Sequence, residues 1–402
     1  MSSSNRKPRV LLNWDTTRKD LWEPFLEMKD DIDFVVIWAD IEKNPCHPFP
    51  QISFSDYTSP YKLIDDVRPD RILFFNINSF THIGLNLAAK NRGIPTFTMH
   101  HAIFHSDLIE RNREKQKEGV ESKAEGGINT NTVKFYLSAL RPKNILQLPK
   151  YLWFMWLRRN RERLIALEQC VFDGRLPRYY INLSPHNAIL SIRVDRITRM
   201  DNFKFIGHPF FDSILQDLNR CADTTQGNSD RYFLLIDFPN DENILIFRRM
   251  GAERKRKFYQ NLSALAKQNG CRLKIKLHPR GYNSPLNYED ENVDLIREAD
   301  MAALIHGAEK VLSFFSTLIV PAIYHKGNCY IIYTGDDRKF QDELVELGVA
   351  TKLDAYNFSQ SDFDKELPAD KQSEHFKVFI ERYLYYTDGK AGQRLKAILS
   401  GE

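Results

Sequence analysis

The length, composition and charge of the chain exclude several classes of protein. Its 402 residues are too many for one ordinary hydrophobic core and suit two domains of roughly 150 to 200 residues each. A hydrophobic content of 42% excludes a disordered chain, and a net charge of +4 is too small to indicate nucleic-acid binding by itself.

The cysteines and the apolar runs indicate the compartment. The five cysteines lack the spacing of a disulfide framework or a zinc site, which points to a reducing environment. The first residues contain only a short apolar run, so they predict a strand and not a signal peptide. No apolar run reaches the roughly 18 to 20 residues that span a bilayer. We therefore expect a cytoplasmic protein.

Short apolar runs rich in β-branched and aromatic residues alternate with stretches of helical periodicity. Such an alternation predicts parallel sheets covered by helices on both faces. A polar stretch at 217–231 divides the runs into two series. The first series occupies 8–14, 33–40, 71–77, 94–101, 179–184 and 203–209, and the second occupies 231–239, 271–279, 310–315 and 328–334.

These two series predict an α/β protein with two Rossmann-like, doubly wound domains. An N-terminal, acceptor-binding domain would span 1–216, and a linker would follow at 217–231. A nucleotide-donor-binding domain would span 232–402 and end in helices. Ligands of such sheets bind at the carboxyl ends of the strands, so strand-end residues that face an interdomain cleft are the candidates for a site.

Residues 139–164 combine basic and aromatic side chains in a helix-like stretch. This composition is typical of an interfacial helix on an anionic membrane surface. The alternative is a helix packed between the domains with a solvated basic end. The residues concerned are Arg141, Lys143, Lys150, Tyr151, Trp153, Phe154, Trp156, Arg158, Arg159, Arg161 and Arg163.

The run at 271–279 ends in a His-Pro pair. Pro279 ends the strand and thereby sets where the His278 side chain emerges. An imidazole at a strand end can donate a hydrogen bond to a phosphate oxygen, and it gains a positive charge if the anion raises its pKa. Lys276 and Arg280 add positive charge on either side. A structural histidine is the alternative.

The next run, at 310–315, leads into Ser316 and Thr317 and then into a helix-like apolar stretch. Hydroxyl residues at a helix start cap free amides, and those amides and the helix dipole together form an anion site. Because both runs belong to one domain, we expect His278 and the hydroxyl pair to lie along one sheet edge. The pattern predicts a phosphate site, with a plain helix cap as the alternative.

The His278-Pro279 pair followed by Ser316-Thr317 resembles bacterial GT-B glycosyltransferases that use cytidine-nucleotide donors. These include sialyltransferases, polysialyltransferases and Kdo transferases, which are related to CDP-glycerol glycerophosphotransferases. The resemblance implies a GT-B fold over nearly the whole chain. It also implies that His278, Ser316 and Thr317 hold the phosphate of the donor.

The resemblance requires a catalytic base from the N-terminal domain, within reach of the acceptor hydroxyl. The run at 94–101 ends in His100-His101 and looks like the His-Gly turn of related transferases, with His101 at the histidine position. His101 is therefore the first candidate, with His100 beside it. Asp15, after the first run, is the second candidate because inverting enzymes often use a carboxylate. A histidine pair packed in a loop is the alternative.

The segment from Gly207 to Asp212 resembles the GxPxxD motif that closes the N-terminal domain of many GT-B proteins. In that motif Gly207 and Pro209 shape the crossing towards the second domain. We interpret His208, between them, as a structural residue.

The resemblance implies an inverting glycosyltransferase that moves sialic acid or Kdo from a CMP-linked donor onto a bacterial surface polysaccharide or lipid-linked glycan. No carboxylate pair stands at a predicted strand end, so we expect no metal and no cofactor besides the nucleotide-sugar co-substrate. The expected partners are the donor and a glycan or glycolipid acceptor, without nucleic acid. Residues 139–164 would provide peripheral contact with the inner face of the cytoplasmic membrane.

Three other functions stay open. The first is a CDP-glycerol or CDP-ribitol phosphotransferase, which keeps the fold and changes the transferred group. The second is a UDP-sugar-dependent GT-B transferase or a 2-epimerase. The third is a non-catalytic scaffold at the membrane surface, which would bind no nucleotide.

Overall fold

A computed structural model describes most of the chain, which forms two compact units. The first unit comprises Met1–Phe210 and Lys390–Glu402, and the second comprises Phe211–Gly389. The described residues are 6–14, 19–38, 45–100, 103, 107–117, 129–221, 231–238, 250–326, 329–335, 339–364 and 370–402.

The first unit contains a seven-stranded sheet in which all neighbouring strands are parallel. Its strands are β1 (Arg9–Asn13), β2 (Asp33–Trp38), β3 (Gln51–Ser53), β4 (Arg71–Phe74), β5 (Thr96–Met99), β6 (Tyr179–Asn182) and β7 (Phe203–Phe205). They lie in the order β3-β2-β1-β4-β5-β6-β7. The order reverses between β1 and β4, where doubly wound sheets open a crevice for ligands.

Helices flank this sheet, and several begin at side-chain caps: Ser59, Ser79 and Asn129 each accept a hydrogen bond from a first-turn amide. The α-helices are Lys19–Leu26, Pro60–Val67, Phe80–Asn91, Leu108–Lys117, Thr130–Ser138, Leu148–Asn160, Arg163–Gln169, Ile189–Asp195 and Ala391–Ser400. Short 3-10 helices are Phe54–Asp56, Pro142–Gln147, Asp173–Arg175, His186–Ala188 and Pro209–Phe211, the last ending at the first residue of the second unit.

The second unit contains a six-stranded parallel sheet. Its strands are β8 (Tyr232–Ile236), β9 (Arg272–Lys276), β10 (Val293–Ile296), β11 (Lys310–Ser313), β12 (Cys329–Tyr333) and β13 (Thr351–Asp354), in the order β10-β9-β8-β11-β12-β13. Its helices are Asp212–Cys221, Ala252–Gln268, Met301–Gly307, Ile319–Lys326, Lys339–Glu346, Gln360–Phe363 and Glu374–Tyr383, with a 3-10 turn at Pro279–Gly281.

The two sheets confirm the predicted fold class of two Rossmann-like domains. Each of the ten predicted runs contains a strand. Three further strands, β3, β10 and β13, lie at sheet edges and were not predicted.

The first unit ends earlier in the sequence than the predicted domain. Helix Asp212–Cys221 belongs to the second unit, where Gln216 Nε2 donates to the carbonyl of Gly389 at 2.6 Å and Asn219 Nδ2 donates to that of Thr387 at 3.0 Å. The unit therefore changes within the GxPxxD segment, between Phe210 and Phe211, and not at 217–231. Residues 222–230 of the predicted linker lie outside the described residues.

The last helix also differs from the predicted domain limits, because Ala391–Ser400 belongs to the first unit. Leu395 and Leu399 are fully buried in the core on one face of the first sheet. Arg71 Nη1 donates to the carbonyl of Leu399 at 2.9 Å, and Lys396 pairs with Asp31 at 2.6 Å. Apolar burial and two polar contacts thus hold the chain end on the first unit.

The basic and aromatic stretch at 139–164 forms the 3-10 turn Pro142–Gln147, helix Leu148–Asn160 and the start of the next helix. Its aromatic residues do not form one belt. Tyr151 and Phe154 are fully buried, whereas Trp153 and Trp156 are exposed and stack on each other with ring centroids 4.7 Å apart. Within the described part of the chain, every helix is too short or too polar to span a lipid bilayer.

Candidate functional site

The sequence-predicted phosphate residues lie at the carboxyl edge of the second sheet. Ile236, the last residue of β8, is paired with Lys276 of β9 on one side and with Ser313 of β11 on the other. His278 and Ser316 follow these outer strands, so they flank the end of β8. Two strand spacings separate β9 from β11 by roughly 10 Å. The order of the sheet reverses between β8 and β11, the position at which doubly wound sheets bind ligands.

His278 is half-buried and caps the 3-10 turn that follows β9. Its Nδ1 accepts a hydrogen bond from the amide of Arg280 at 3.2 Å, and its carbonyl accepts one from the amide of Gly281 at 2.8 Å. Because Nδ1 is an acceptor in this contact, a neutral ring carries its proton on Nε2. The local turn therefore selects the tautomer in which Nε2 is a donor.

The turn after β11 is held by its own hydroxyl groups. Ser313 Oγ accepts from the amide of Ser316, and Ser316 Oγ accepts from the amide of Leu318, both at 3.3 Å. The amide of Ile319 donates to the carbonyl of Ser316 at 3.2 Å. Most amides of this turn are thus already bonded. Among the described residues, Thr317 has no hydrogen-bond partner for its amide or its hydroxyl, so it is the residue of the turn best able to bind an anion.

The two neighbouring cations differ in position. Lys276 Nζ donates to the carbonyls of Leu277 at 3.0 Å and Arg297 at 2.8 Å. Because Arg297 follows β10, these contacts hold the ammonium on the side of β9 that is away from β8. Arg280 and Pro279 are exposed in the turn itself. Arg280 is therefore the cation that the turn presents to solvent.

A buried ion pair, which the sequence analysis missed, supports the end of β8. Lys255 Nζ lies 3.1 Å from Asp237 Oδ1 and donates to the carbonyl of Phe238, also at 3.1 Å. Tyr259 donates to the second carboxylate oxygen, and the Phe238 amide donates to the first at 2.8 Å. Burial lowers the pKa of Lys255 to about 8, although the Asp237 charge opposes this shift. The position of Asp237 directly after an apolar strand could have marked it as a candidate from the sequence. Lys255 could not be singled out, because it lies among several other charged residues of its helix.

Gln341 fixes the ends of two other strands at the same edge. It is almost completely buried, and its Nε2 donates to the carbonyl of Phe314 at 2.7 Å and to that of Ile332 at 3.0 Å. These contacts tie the end of β11 to β12 just before the Ser316 turn. A lone glutamine in an amphipathic helix gives no signal in the sequence.

The predicted catalytic bases of the first unit are only partly described. β1 ends at Asn13 and β5 ends at Met99, at the same edge of the first sheet. Asp15 and His101 lie outside the described residues. His100 is half-buried, and its Nε2 lies 3.3 Å from Ser191 Oγ.

The GxPxxD segment lies within the described residues of the chain. The amide of Gly207 donates to the carbonyl of Leu183 at 3.0 Å, and Gly207 has a φ of 84°, a left-handed conformation that favours glycine. The neighbouring His208, which we interpreted as structural, is 2% exposed.

No protein-family model and no curated protein sequence matches the chain. Solved structures match it over nearly its whole length. The glycotransferase of kitacinnamycin is 13% identical, with 98% of this chain and 99% of that chain covered and a TM-score of 0.54. The UDP-GlcNAc 2-epimerase of Methanocaldococcus jannaschii, in complex with UDP-GlcNAc and UDP, is 13% identical with 99% and 100% covered and a TM-score of 0.51.

A variant of the wall teichoic acid polymerase TagF is 11% identical, with 99% of this chain and 90% of that chain covered and a TM-score of 0.55. Identities this low show the fold alone. Together with the two sheets, these similarities define the class of the protein: it has the GT-B fold, built from two Rossmann-like domains. The fold that the His-Pro and Ser-Thr motifs implied is thereby confirmed.

Proposed function

We propose that the protein is a nucleotide-sugar-dependent glycosyltransferase whose second unit binds the donor. The observation that carries the proposal is the position of His278 and Thr317 on either side of the β8 end, where the strand order of the sheet reverses. A crevice at this position is where such sheets bind nucleotides. The shared fold with the glycotransferase of kitacinnamycin supports the reaction class.

The proposed contacts to the donor phosphate are all hydrogen-bond donors. His278 would donate from Nε2, Ser316 from its hydroxyl, and Thr317 from its amide and hydroxyl. Donors fixed by the fold stabilise the negative charge that develops on the leaving nucleotide as its bond to the sugar breaks. Pro279 would shape the turn, Lys276 would add positive charge behind it, and Arg280 would add an exposed cation.

The acceptor oxygen would attack the anomeric carbon from the side opposite to the leaving phosphate, so the configuration inverts. His101 or Asp15 of the first unit, with His100 nearby, would take the proton of the acceptor hydroxyl. No step of this scheme needs a metal ion. Holding both reactants in line would supply much of the acceleration.

The proposed donor is CMP-linked sialic acid or Kdo, and the proposed acceptor is a surface polysaccharide or a lipid-linked glycan. The sequence motifs around His278 and Ser316 support this donor class. We further propose that the enzyme works at the inner face of the cytoplasmic membrane, which it contacts through 139–164.

A CDP-polyol phosphotransferase is the second candidate. The similarity to TagF favours it, because one structure of that polymerase comes from a crystal soaked with CDPG. The same His278 and Thr317 contacts would then bind the phosphate. A UDP-sugar transferase or a 2-epimerase is supported in the same way by the Methanocaldococcus jannaschii enzyme.

The decisive experiment is a thermal-shift panel with CMP, CDP, UDP, GDP and ADP. A nucleotide at about 100 times its Kd should stabilise the protein by about 2.7 kcal/mol. We expect cytidine nucleotides to raise the Tm most. Equal shifts for all five nucleotides would contradict the donor class, and no shift at all would favour a non-catalytic scaffold.

Variants test the site within the same panel. His278→Ala and Thr317→Val should lose most of the nucleotide-induced shift, and their turnover should fall by roughly a hundredfold. His375→Ala, an exposed histidine of the same unit, is the matched control and should behave as wild type. Unchanged turnover and donor affinity in His278→Ala would refute the site. The mass of the product separates a transferred sugar from a polyol phosphate, and donor turnover without acceptor would favour an epimerase.

A further inference from the structure

Helix Leu148–Asn160 and the 3-10 turn before it carry an exposed apolar surface on the first unit. We call it the Trp153 face and define it as Ile145, Leu146, Leu152, Trp153 and Trp156. All five side chains are exposed, and Leu146 is 91% exposed, Trp153 47% and Trp156 49%. Single exposed apolar residues are ordinary, but five within one turn and the helix that follows it concentrate apolar surface in one segment, which indicates a binding surface.

The Trp153 face is not needed to hold the helix on the protein. Tyr151, Phe154 and Leu157 recur every three residues on the opposite side and are buried in the core of the first unit. Tyr151 and Phe154 both pack against Phe172, with ring centroids 4.5 Å and 5.6 Å apart. Because this side anchors the helix, the apolar residues of the other side are left for an external partner.

Cations surround the Trp153 face. Lys143, Lys150 and Arg159 are exposed, and none of them forms an ion pair within the described part of the chain. The only acidic residue of 139–164 is Glu162, whose carboxylate is occupied as the cap of the next helix and accepts from the amide of Leu164 at 2.7 Å. These three cations near the two tryptophans are therefore not neutralised by ion pairs with the described residues.

We propose that the Trp153 face docks on the anionic phospholipid surface of a membrane. Indole rings are favoured at the level of the lipid headgroups, Leu146 and Ile145 would reach the acyl chains, and the cations would lie among the phosphates. A helix of 13 residues is roughly 20 Å long and lies in the plane of the interface. A second copy of the chain fits less well, because its identical face would oppose like charges.

The test is flotation of the full chain with vesicles of phosphatidylcholine, alone or with about a third replaced by phosphatidylglycerol. We expect binding to the anionic vesicles that weakens with added salt. Trp153→Ala with Trp156→Ala should reduce the vesicle partition coefficient by about tenfold or more. Lys150→Gln with Arg159→Gln should reduce it by roughly tenfold as well.

Matched controls keep the result specific to the face. Met200→Ala removes another exposed apolar side chain of the first unit, and Lys62→Gln with Lys204→Gln removes the same net charge from exposed positions elsewhere. Both should bind vesicles as wild type does. Far-UV circular dichroism and the melting temperature establish that the double variants are folded.

Several outcomes would overturn the proposal. These are failure of the wild-type protein to bind anionic vesicles, or equal binding by the face variants and the controls. Dimerisation in sedimentation experiments without lipid, abolished by Trp153→Ala with Trp156→Ala, would assign the face to a second copy instead. Vesicle binding is measured without nucleotide or acceptor, so this result does not depend on the proposed transferase activity.

Discussion

Replacing Asp237 by asparagine should destabilise the second unit by an amount that depends on pH. In the folded protein the pKa of Lys255 is lowered from 10.5 to about 8, chiefly because the amine is buried. The Asp237 carboxylate limits this shift. Without the carboxylate the pKa of Lys255 falls further, because no negative charge then offsets the cost of burying the ammonium.

The size of the effect follows from these pKa values. Above pH 8 the amine of the wild-type protein is already neutral, so Asp237→Asn costs only weaker hydrogen bonds from Tyr259 and the Phe238 amide, about 1 kcal/mol. Below pH 8 each pH unit adds about 1.4 kcal/mol, because the folded variant excludes a proton that the folded wild type keeps. The loss should therefore grow from about 1 kcal/mol at about pH 8.5 to about 4 kcal/mol at about pH 6.

The assay is urea denaturation of both proteins between about pH 6 and 8.5, followed by far-UV circular dichroism. Asp237→Asn combined with Lys255→Met lacks the amine, so its stability relative to wild type tests whether the lysine causes the pH dependence. The added loss below pH 8 should disappear in this double variant. A destabilisation by Asp237→Asn that is constant over the range would refute the reasoning from the lysine, and no destabilisation would refute the buried ion pair.

Three further predictions concern stability. Burial lowers the pKa of His82 to about 3, so the folded state disfavours the protonated ring. The free energy of unfolding should therefore fall by up to about 1.4 kcal/mol per pH unit as the pH drops from 6.5 towards 3. Urea denaturation of wild type and His82→Asn tests this, and equal pH slopes for the two proteins would contradict it. Gly389 has a φ of 62°, and an added Cβ would lie 2.6 Å from Gln216 Cγ; Gly389→Ala should cost about 2–3 kcal/mol, visible as a lower Tm. Leu395→Ala or Leu399→Ala should lower the free energy of unfolding by about 2–5 kcal/mol and increase hydrogen exchange in the first unit. Faster exchange in the second unit alone would show that the last helix stabilises the second unit instead.

The strands illustrate what can be predicted from local pattern. The ten predicted strands include every internal strand of both sheets. An internal strand of a parallel sheet is covered on both faces and therefore favours apolar residues, which are continuous in β8 and alternate with basic residues in β9. The three missed strands, β3, β10 and β13, are partly exposed edge strands whose residues are not uniformly apolar. These three strands are defined by pairing with a neighbour, which a single run of sequence does not encode.

The candidate site divides in the same way. His278, Ser316 and Thr317 could be selected from the sequence because a polar residue directly after an apolar strand marks a strand end. Their separation by β8 could not, because the strand order is a property of the assembled sheet. The support from Asp237 and Lys255 likewise depends on a helix that packs beneath a strand end.

The sequence by itself determined the α/β class, the parallel sheets and the strand ends that carry polar side chains, because each of these depends on the local spacing of apolar and polar residues. Tertiary structure decided which unit takes helix Asp212–Cys221 and which takes Ala391–Ser400, since the burial of an amphipathic helix depends on the surface that it meets. It also divided the aromatic residues of 139–164, placing Tyr151 in the core and Trp153 in solvent. Both rings favour burial, and only the packing of the helix on the first unit determines which of them is buried.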